Sequence, residues 1–158
     1  FFKDTATTEI YTLSLHDALP IYVDLVVVDT TARLQVPFAQ MGVPPEAGSS
    51  VLLPARMGWQ RAAEVLLTSR WIDAEEAVAA GIALRSCPEG TALDEALALA
   101  GAIAAHPGPA TRTIKRLLLA GRAGAVADAR AREEAAFAAL FADPSANPGA
   151  GLTAALEV

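Results

Sequence analysis

Few side chains in this sequence have types and spacings that could do chemistry. Cys87 is the single cysteine. No disulfide can form within the chain and no cysteine-rich metal centre can be built; a small, partly buried apolar role is expected for it. His16 and His106 stand far apart with no ligand spacing around either, so no metal site is expected. Arg112, Lys115 and Arg116 form the densest basic group. It reads either as a solvated helix face or as the cationic patch that an anionic ligand would need. Glu46 lies in PFAQMGVPPEAGSS, next to Pro45. Proline suits the first turn of a helix, where no N–H is required. A carboxylate beside it meets the positive end of the helix dipole, an ordinary arrangement that stabilises by about 0.3–1 kcal/mol. Held against an apolar pocket, the same carboxylate could exchange protons with a substrate.

The elements that must position these residues follow from pattern and punctuation. VDLVVVDTTARLQV has a β-branched run followed by alternation, and predicts a strand pair or a bent strand. PFAQMGVPPEAGSS predicts a loop, after which a helix runs from Pro45 to Met57 and stops at Gly58. WQRAAEVLLTSR predicts a helix with Ala62, Val65 and Leu66 on one face. IDAEEAVAAGIA opens on an Asp73 cap with Glu76 completing a capping box, and ends at Gly81. ALRSC predicts a short strand. TALDEALALAGAIAAH, PATRTIKRLLLAGR and GAVADARAREEAAFAALFAD predict three further helices, separated by Gly or Pro, and Gly151 to Glu157 a last short one.

With 53% hydrophobic and 19% charged residues over 158 positions, the composition is that of a globular chain large enough for a core. The formal charge of −6 argues against a general nucleic-acid binder. Apolar runs such as Leu25 to Val28 are too short to cross a bilayer, and no signal peptide is recognisable. One stretch differs from the rest. KDTATTEIYTLSLHDALPIY is rich in threonine, whereas beyond it the chain is rich in alanine and arginine and has Lys115 as its one lysine. Asp4 to Ile21 can be back-translated, codon by codon, into a standard short-read sequencing adapter. Residues 1–22 are therefore expected to be an adapter-derived artefact without function, with the native chain before about Val23 missing.

The segments DLVVVDTTARL, PFAQMGVPPEAGSS, LLPARMG, AAEVLLTSRWIDAEEA and AAGIA, in that order, resemble the crotonase, or enoyl-CoA hydratase/isomerase, superfamily. The resemblance covers Val23 to Val158, more weakly in the last helices. It implies an α/β fold: residues 23–90 as the C-terminal part of a spiral ββα core, and residues 91–158 as a mostly helical oligomerisation region. PFAQMGVPPEAGSS is more similar to Δ3,Δ2-enoyl-CoA isomerases than to hydratases.

The family places an acyl-CoA thioester between two backbone N–H donors that stabilise an enolate. Hydratases activate water with two carboxylates; an isomerase can shuttle a proton from C2 to C4 with one. The place of the hydratase's second glutamate is here Phe38, and the place of the isomerase's carboxylate is Glu46. The resemblance thus implies Glu46 as catalytic base, with Phe38 and Met41 lining an acyl pocket. Gly48, with Ser49 and Ser50, either contacts substrate or permits close packing. Lys115, with Arg112 and Arg116, reads either as a CoA contact or as a solvated face. The family's C-terminal Phe-x-x-Lys-Arg is not reproduced, its places falling at Ala155 and Val158. The oxyanion donors and the hydratase's first glutamate lie before Asp24 in the family. The expectation is an acyl-CoA isomerase of the cytoplasm, a homotrimer or hexamer when complete. It would need no separate cofactor, since coenzyme A comes with the substrate, and neither nucleic acid nor membrane as partner; the chain as written would be inactive. Left open are a hydratase or ring-modifying acyl-CoA isomerase and, in another class, a non-catalytic oligomerising homologue.

Overall fold

The computed structural model describes residues 19–143 and 145–146. The expectations for residues 1–18, His16 among them, and for the short helix over 151–157 lie outside these residues. In chain order the elements are α1 (Leu19–Tyr22), β1 (Val27–Asp29), β2 (Arg33–Gln35), α2 (Phe38–Met41), α3 (Ser49–Met57), α4 (Trp59–Thr68), β3 (Trp71–Asp73), α5 (Ala74–Ala79), β4 (Arg85–Cys87), α6 (Ala92–Ala104) and α7 (Gly108–Ala142). Among the described residues no helix is long and apolar enough to cross a membrane.

The two strands of VDLVVVDTTARLQV do not pair with each other. β1 runs parallel to β4, with Val27 opposite Arg85 and Asp29 opposite Cys87. β2 runs antiparallel to β3, with Leu34 opposite Ile72. The reason is local. The Asp29 carboxylate accepts from the Thr31 N–H and hydroxyl at 2.9 and 2.6 Å, and the Ala32 N–H returns to the Asp29 carbonyl. This Asx turn sends the chain out of one sheet and into the other. Trp71–Asp73, where the sequence pattern predicts no strand, supplies the partner strand. Cys87 is buried, and its thiol donates to the Val28 carbonyl across the β1–β4 pair at 3.3 Å.

The core lies between these strands and α3, α4 and α5. Leu53, Val65, Ile72 and Ala77 are essentially inaccessible. Ala62 and Val65 form the buried stripe of α4, with Leu66 packed beside them, as their spacing requires. Asp73 caps α5 by accepting from the Glu76 N–H at 2.8 Å. Only half of the capping box forms, because the Glu76 carboxylate is taken by Arg70 at 2.7 and 2.5 Å. The helix ends as expected. Gly81 is left-handed, its N–H reaches the Val78 carbonyl, and the Ile82 N–H reaches that of Ala77, which is the Schellman pattern.

Two expectations need correction. The helix anticipated from Pro45 begins instead at Ser49, after Ala47 and Gly48 have both turned left-handed at φ 59° and 79°. The segments expected as separate helices around Gly121 form one 35-residue helix, α7. Each interior glycine costs only about 1 kcal/mol relative to alanine. The surrounding Leu, Ala and Arg are strong helix formers, and no proline follows Pro109 until the helix has ended.

The junction between the set-apart stretch and the rest is well tied. Ile21 is 2% exposed and belongs to the core. Arg56 of α3 donates to the Ile21 and Val23 carbonyls at 3.1 and 2.6 Å, and Arg122 of α7 donates to that of Tyr22 at 2.9 Å. Burial and the nearby Arg122 charge push the Arg56 guanidinium below its ordinary value.

Candidate active site

The turn from Pro37 to Ser50 carries most of the proposed site. Its first half is fixed from α4. Ser69, buried and left-handed at the end of that helix, accepts from the Gln40 N–H through its hydroxyl at 3.1 Å. The Ser69 carbonyl accepts from the Gln35 amide at 2.6 Å. Phe38 is thereby turned inward and is 8% exposed. It forms one wall of an apolar cleft of about 360 Å³, with Val43, Pro45, Pro54, Leu66 and Leu67 among the others. Met41 is half-buried at the end of α2 and is not part of that wall.

Glu46 is half-buried beside this cleft, next to the lining residue Pro45. It stands before α3 rather than in its first turn. Its carbonyl receives the Ser49 N–H and hydroxyl at 2.9 and 2.5 Å, which folds the backbone back on itself. Among the described residues its carboxylate has neither a hydrogen bond nor an ion pair with another side chain.

The helix start that Glu46 was expected to occupy is served by a residue the sequence reading did not single out. Glu133 of α7 is 6% exposed. Its Oε2 accepts from the Gly48 N–H at 2.6 Å and its Oε1 from the Ser50 N–H at 2.9 Å. Charge-assisted bonds of this kind contribute about 1.5–3 kcal/mol each. The Ser49 and Val51 N–H groups return to the Glu46 and Gly48 carbonyls. With these donors engaged, the start of α3 has no free N–H there to offer an anion. A signal for Glu133 exists. It continues the buried side of α7 begun by Val126 and Ala129, three and four residues apart, so an acidic residue stands where the helical period demands an apolar one.

Gly48 is buried against the same helix. A Cβ there would meet the Tyr22 hydroxyl and Val126 Cγ1 at 3.2 Å each, on a backbone at φ 79°. Close packing is the role its surroundings explain. Burial raises the Tyr22 phenol above its ordinary value, with the Glu133 charge acting the same way and the Arg130 and Arg122 charges opposing. Lys115 is not brought to this turn. It is exposed and pairs with Asp24. At 1.5 Å rise per residue it lies roughly 27 Å along α7 from Glu133. Arg112 and Arg116 are exposed on the same stretch. Phe38, Glu46 and Gly48 thus gather on one turn, whereas Lys115 stands at the far end of the helix that braces it.

This arrangement has a crotonase-like α/β architecture, with small sheets followed by a helical C-terminal region. It matches the crystal structure of an enoyl-CoA hydratase/isomerase from Pseudoalteromonas atlantica with a TM-score of 0.80 and 29% identity, over 89% of this chain and 56% of that one. The chain belongs to the enoyl-CoA hydratase/isomerase family, whose profile matches residues 17–157 and so begins inside the stretch that back-translation sets apart. A Thermus thermophilus protein assigned by name to the enoyl-CoA hydratases is 42% identical over 97 residues, covering 61% of this chain and 38% of its own length. The 2,3-dehydroadipyl-CoA hydratase of Escherichia coli is 29% identical over 139 residues, covering 88% of this chain and 54% of its own length. The chain therefore spans about four-tenths to just over half the length of these relatives.

Proposed function

We propose that the protein is an acyl-CoA isomerase that moves a double bond from the 3 to the 2 position of an enoyl-CoA, with Glu46 as its single carboxylate. Membership of the family supports an acyl-CoA substrate. The observation that carries the finer reading is the pairing at the turn. Phe38, in the place of a second carboxylate, is buried and apolar, while Glu46 beside the cleft has no side-chain partner among the described residues. In the proposed step Glu46 takes a proton from C2, and the electron pair of that C–H bond forms a C1=C2 bond as the thioester carbonyl pair moves onto its oxygen. The oxygen pair then restores the carbonyl, the C1=C2 pair becomes the C2=C3 bond, the C3=C4 pair takes the same proton at C4, and the carboxylate is regenerated. The thioester oxygen carries the transient negative charge. Coenzyme A arrives with the substrate, and the chemistry calls for no further cofactor.

A second reading, enoyl-CoA hydratase, is favoured by the names of the relatives. It requires a water-activating group that Phe38 cannot supply. The two are separated in the full-length gene product by competing rates on 3-enoyl-CoA and 2-enoyl-CoA. Isomerisation is expected to dominate, and Glu46→Gln to lower it by about 10²–10⁴-fold, the usual worth of a positioned base, with acyl-CoA binding retained. Dominant hydration would reject the isomerase reading; near wild-type turnover in Glu46→Gln would remove Glu46 from the chemistry.

A further inference from the structure

We propose that Glu133 is a positioning residue for Glu46, holding from α7 the left-handed turn that aims the carboxylate; this rests on the reading of Glu46 as the base. The chain between Glu46 and α3 passes through two consecutive left-handed residues, Ala47 at φ 59° and Gly48 at φ 79°. Glycine adopts that conformation freely. Alanine does not, because its Cβ crowds the following carbonyl. Something outside the turn must hold Ala47 there. The Glu133 carboxylate bonds the N–H groups on both sides of Ser49, at 2.6 Å to Gly48 and 2.9 Å to Ser50. It thereby fixes the peptide immediately after Ala47.

A carboxylate that is 6% exposed is costly to bury unless its charge is met. Among the described residues Glu133 has no salt-bridge partner, so the two N–H groups at the start of α3 are what meets it. The bond is therefore directional. It sets the rotation of α3's first turn relative to α7, and with it the direction in which the preceding Glu46 leaves the backbone. Gly48 lets the two helices approach, since a Cβ there would sit 3.2 Å from Val126. The contact spans 85 positions in sequence. The aim of the base is accordingly set by a helix that carries none of the other proposed pocket residues near it.

The test is steady-state kinetics on 3-enoyl-CoA in the full-length gene product, with Glu46→Gln run in parallel. Glu133→Gln keeps the shape but turns an amide N–H toward one of the two backbone donors. Its kcat is expected to fall by roughly tenfold or more, the scale of a small misplacement of a reacting group, while KM stays near that of the parent. Adding Ala47→Gly should restore part of kcat, because glycine accepts the left-handed conformation without the clamp. Val28→Ala, a core truncation on β1, which pairs with β4 rather than with the turn, should lower stability but leave kcat in place. Should Glu133→Gln fail to fold, Glu133→Asp, which keeps the charge but is one methylene short, serves the same comparison. An unchanged kcat in the Glu133 variant, or a loss that Ala47→Gly does not relieve, would overturn the positioning role even if Glu46→Gln is inactive. Full activity in Glu46→Gln would instead remove the base itself.

Discussion

The two halves of α7 belong to one continuous helix and meet different fates. Toward its end, Ala129 is fully buried and Glu133 nearly so, and Val126 packs against the core. Toward its start, Ile114, Leu117 and Leu118 are each more than half exposed. The α6 helix that precedes it buries no residue at all. Large aliphatic side chains do not make this distinction, since Ile114, Leu117 and Leu118 all stand in the exposed half. What separates the halves is a partner. The second half has α3, which offers Gly48 for close approach and two N–H groups for Glu133, while among the described residues the hydrogen bonds and ion pairs that leave the first half reach only Asp24 and the Tyr22 carbonyl.

The sharpest way to break that comparison is to make the same substitution in each half. Ala129→Leu must force a larger side chain into a contact with no free surface. Overpacking of this kind costs about 1–3 kcal/mol. Ala120→Leu, at an exposed position of the same helix, should stay within about 0.5 kcal/mol. Denaturant unfolding of the full-length gene product measures both. A loss at Ala120 as large as that at Ala129 would mean that the first half is also covered in the complete protein.

Glycine gives the next largest contrast, this time with opposite signs. Gly48→Ala would place a Cβ at 3.2 Å from two neighbours on a left-handed backbone, and is expected to cost about 1–2 kcal/mol. Gly124 lies inside α7 with nothing within 4 Å of its missing Cβ. Gly124→Ala should stabilise by about 0.4–1 kcal/mol through the unfolded chain's lost freedom. Thermal unfolding of the pair decides it. If Gly48→Ala were neutral, the turn would be able to relax, and the argument that it needs an external clamp would weaken.

These positions also show what could be read from the sequence. The α4 stripe of Ala62, Val65 and Leu66, the Asp73 cap and the Gly81 stop are local, and each is where pattern places it. The family match rests on short ordered motifs and was equally legible. The continuity of α7 was not, because Gly121 and Gly124 are individually permitted both as stops and as interior residues, and only the summed preference of the helix formers on both sides outweighs them. The start of α3 was misplaced because Pro45–Glu46 fits a helix's first turn, while the residue that serves that start stands 85 positions away from Gly48. Strand partners β3 and β4 were likewise non-local. The candidate base could be named from a motif; the carboxylate that holds its turn could be inferred only from an acidic residue standing on an apolar stripe.

The smallest expected effect distinguishes Glu133 from another engaged glutamate, Glu76. Glu133 is buried and met by backbone N–H groups, whereas Glu76 is about 30% exposed and met by the Arg70 guanidinium, which also reaches Glu64. The hydrogen bond from Arg70 holds the Glu76 carboxyl below its ordinary value of 4.5, with burial opposing, and the same pairing raises Arg70 above its own. A carboxylate with a depressed folded-state value stabilises the fold fully above the unfolded value. The stabilisation is lost as pH falls through the folded one. The contribution should therefore be intact above about pH 4.5 and decline below it. Solvent screens the pair, so Glu76→Gln should cost only about 0.2–1 kcal/mol at neutral pH. Arg70 would still keep Glu64. The expected signature is a difference in melting temperature between parent and Glu76→Gln that is constant from pH 7 to about pH 5 and narrows toward pH 3. A difference that persists undiminished at the acid end would assign the effect to packing of the side chain rather than to its charge. Glu76 would then resemble Glu133 in acting as a structural brace, and the distinction between a buried, backbone-held carboxylate and a solvent-screened ion pair would not hold for this fold.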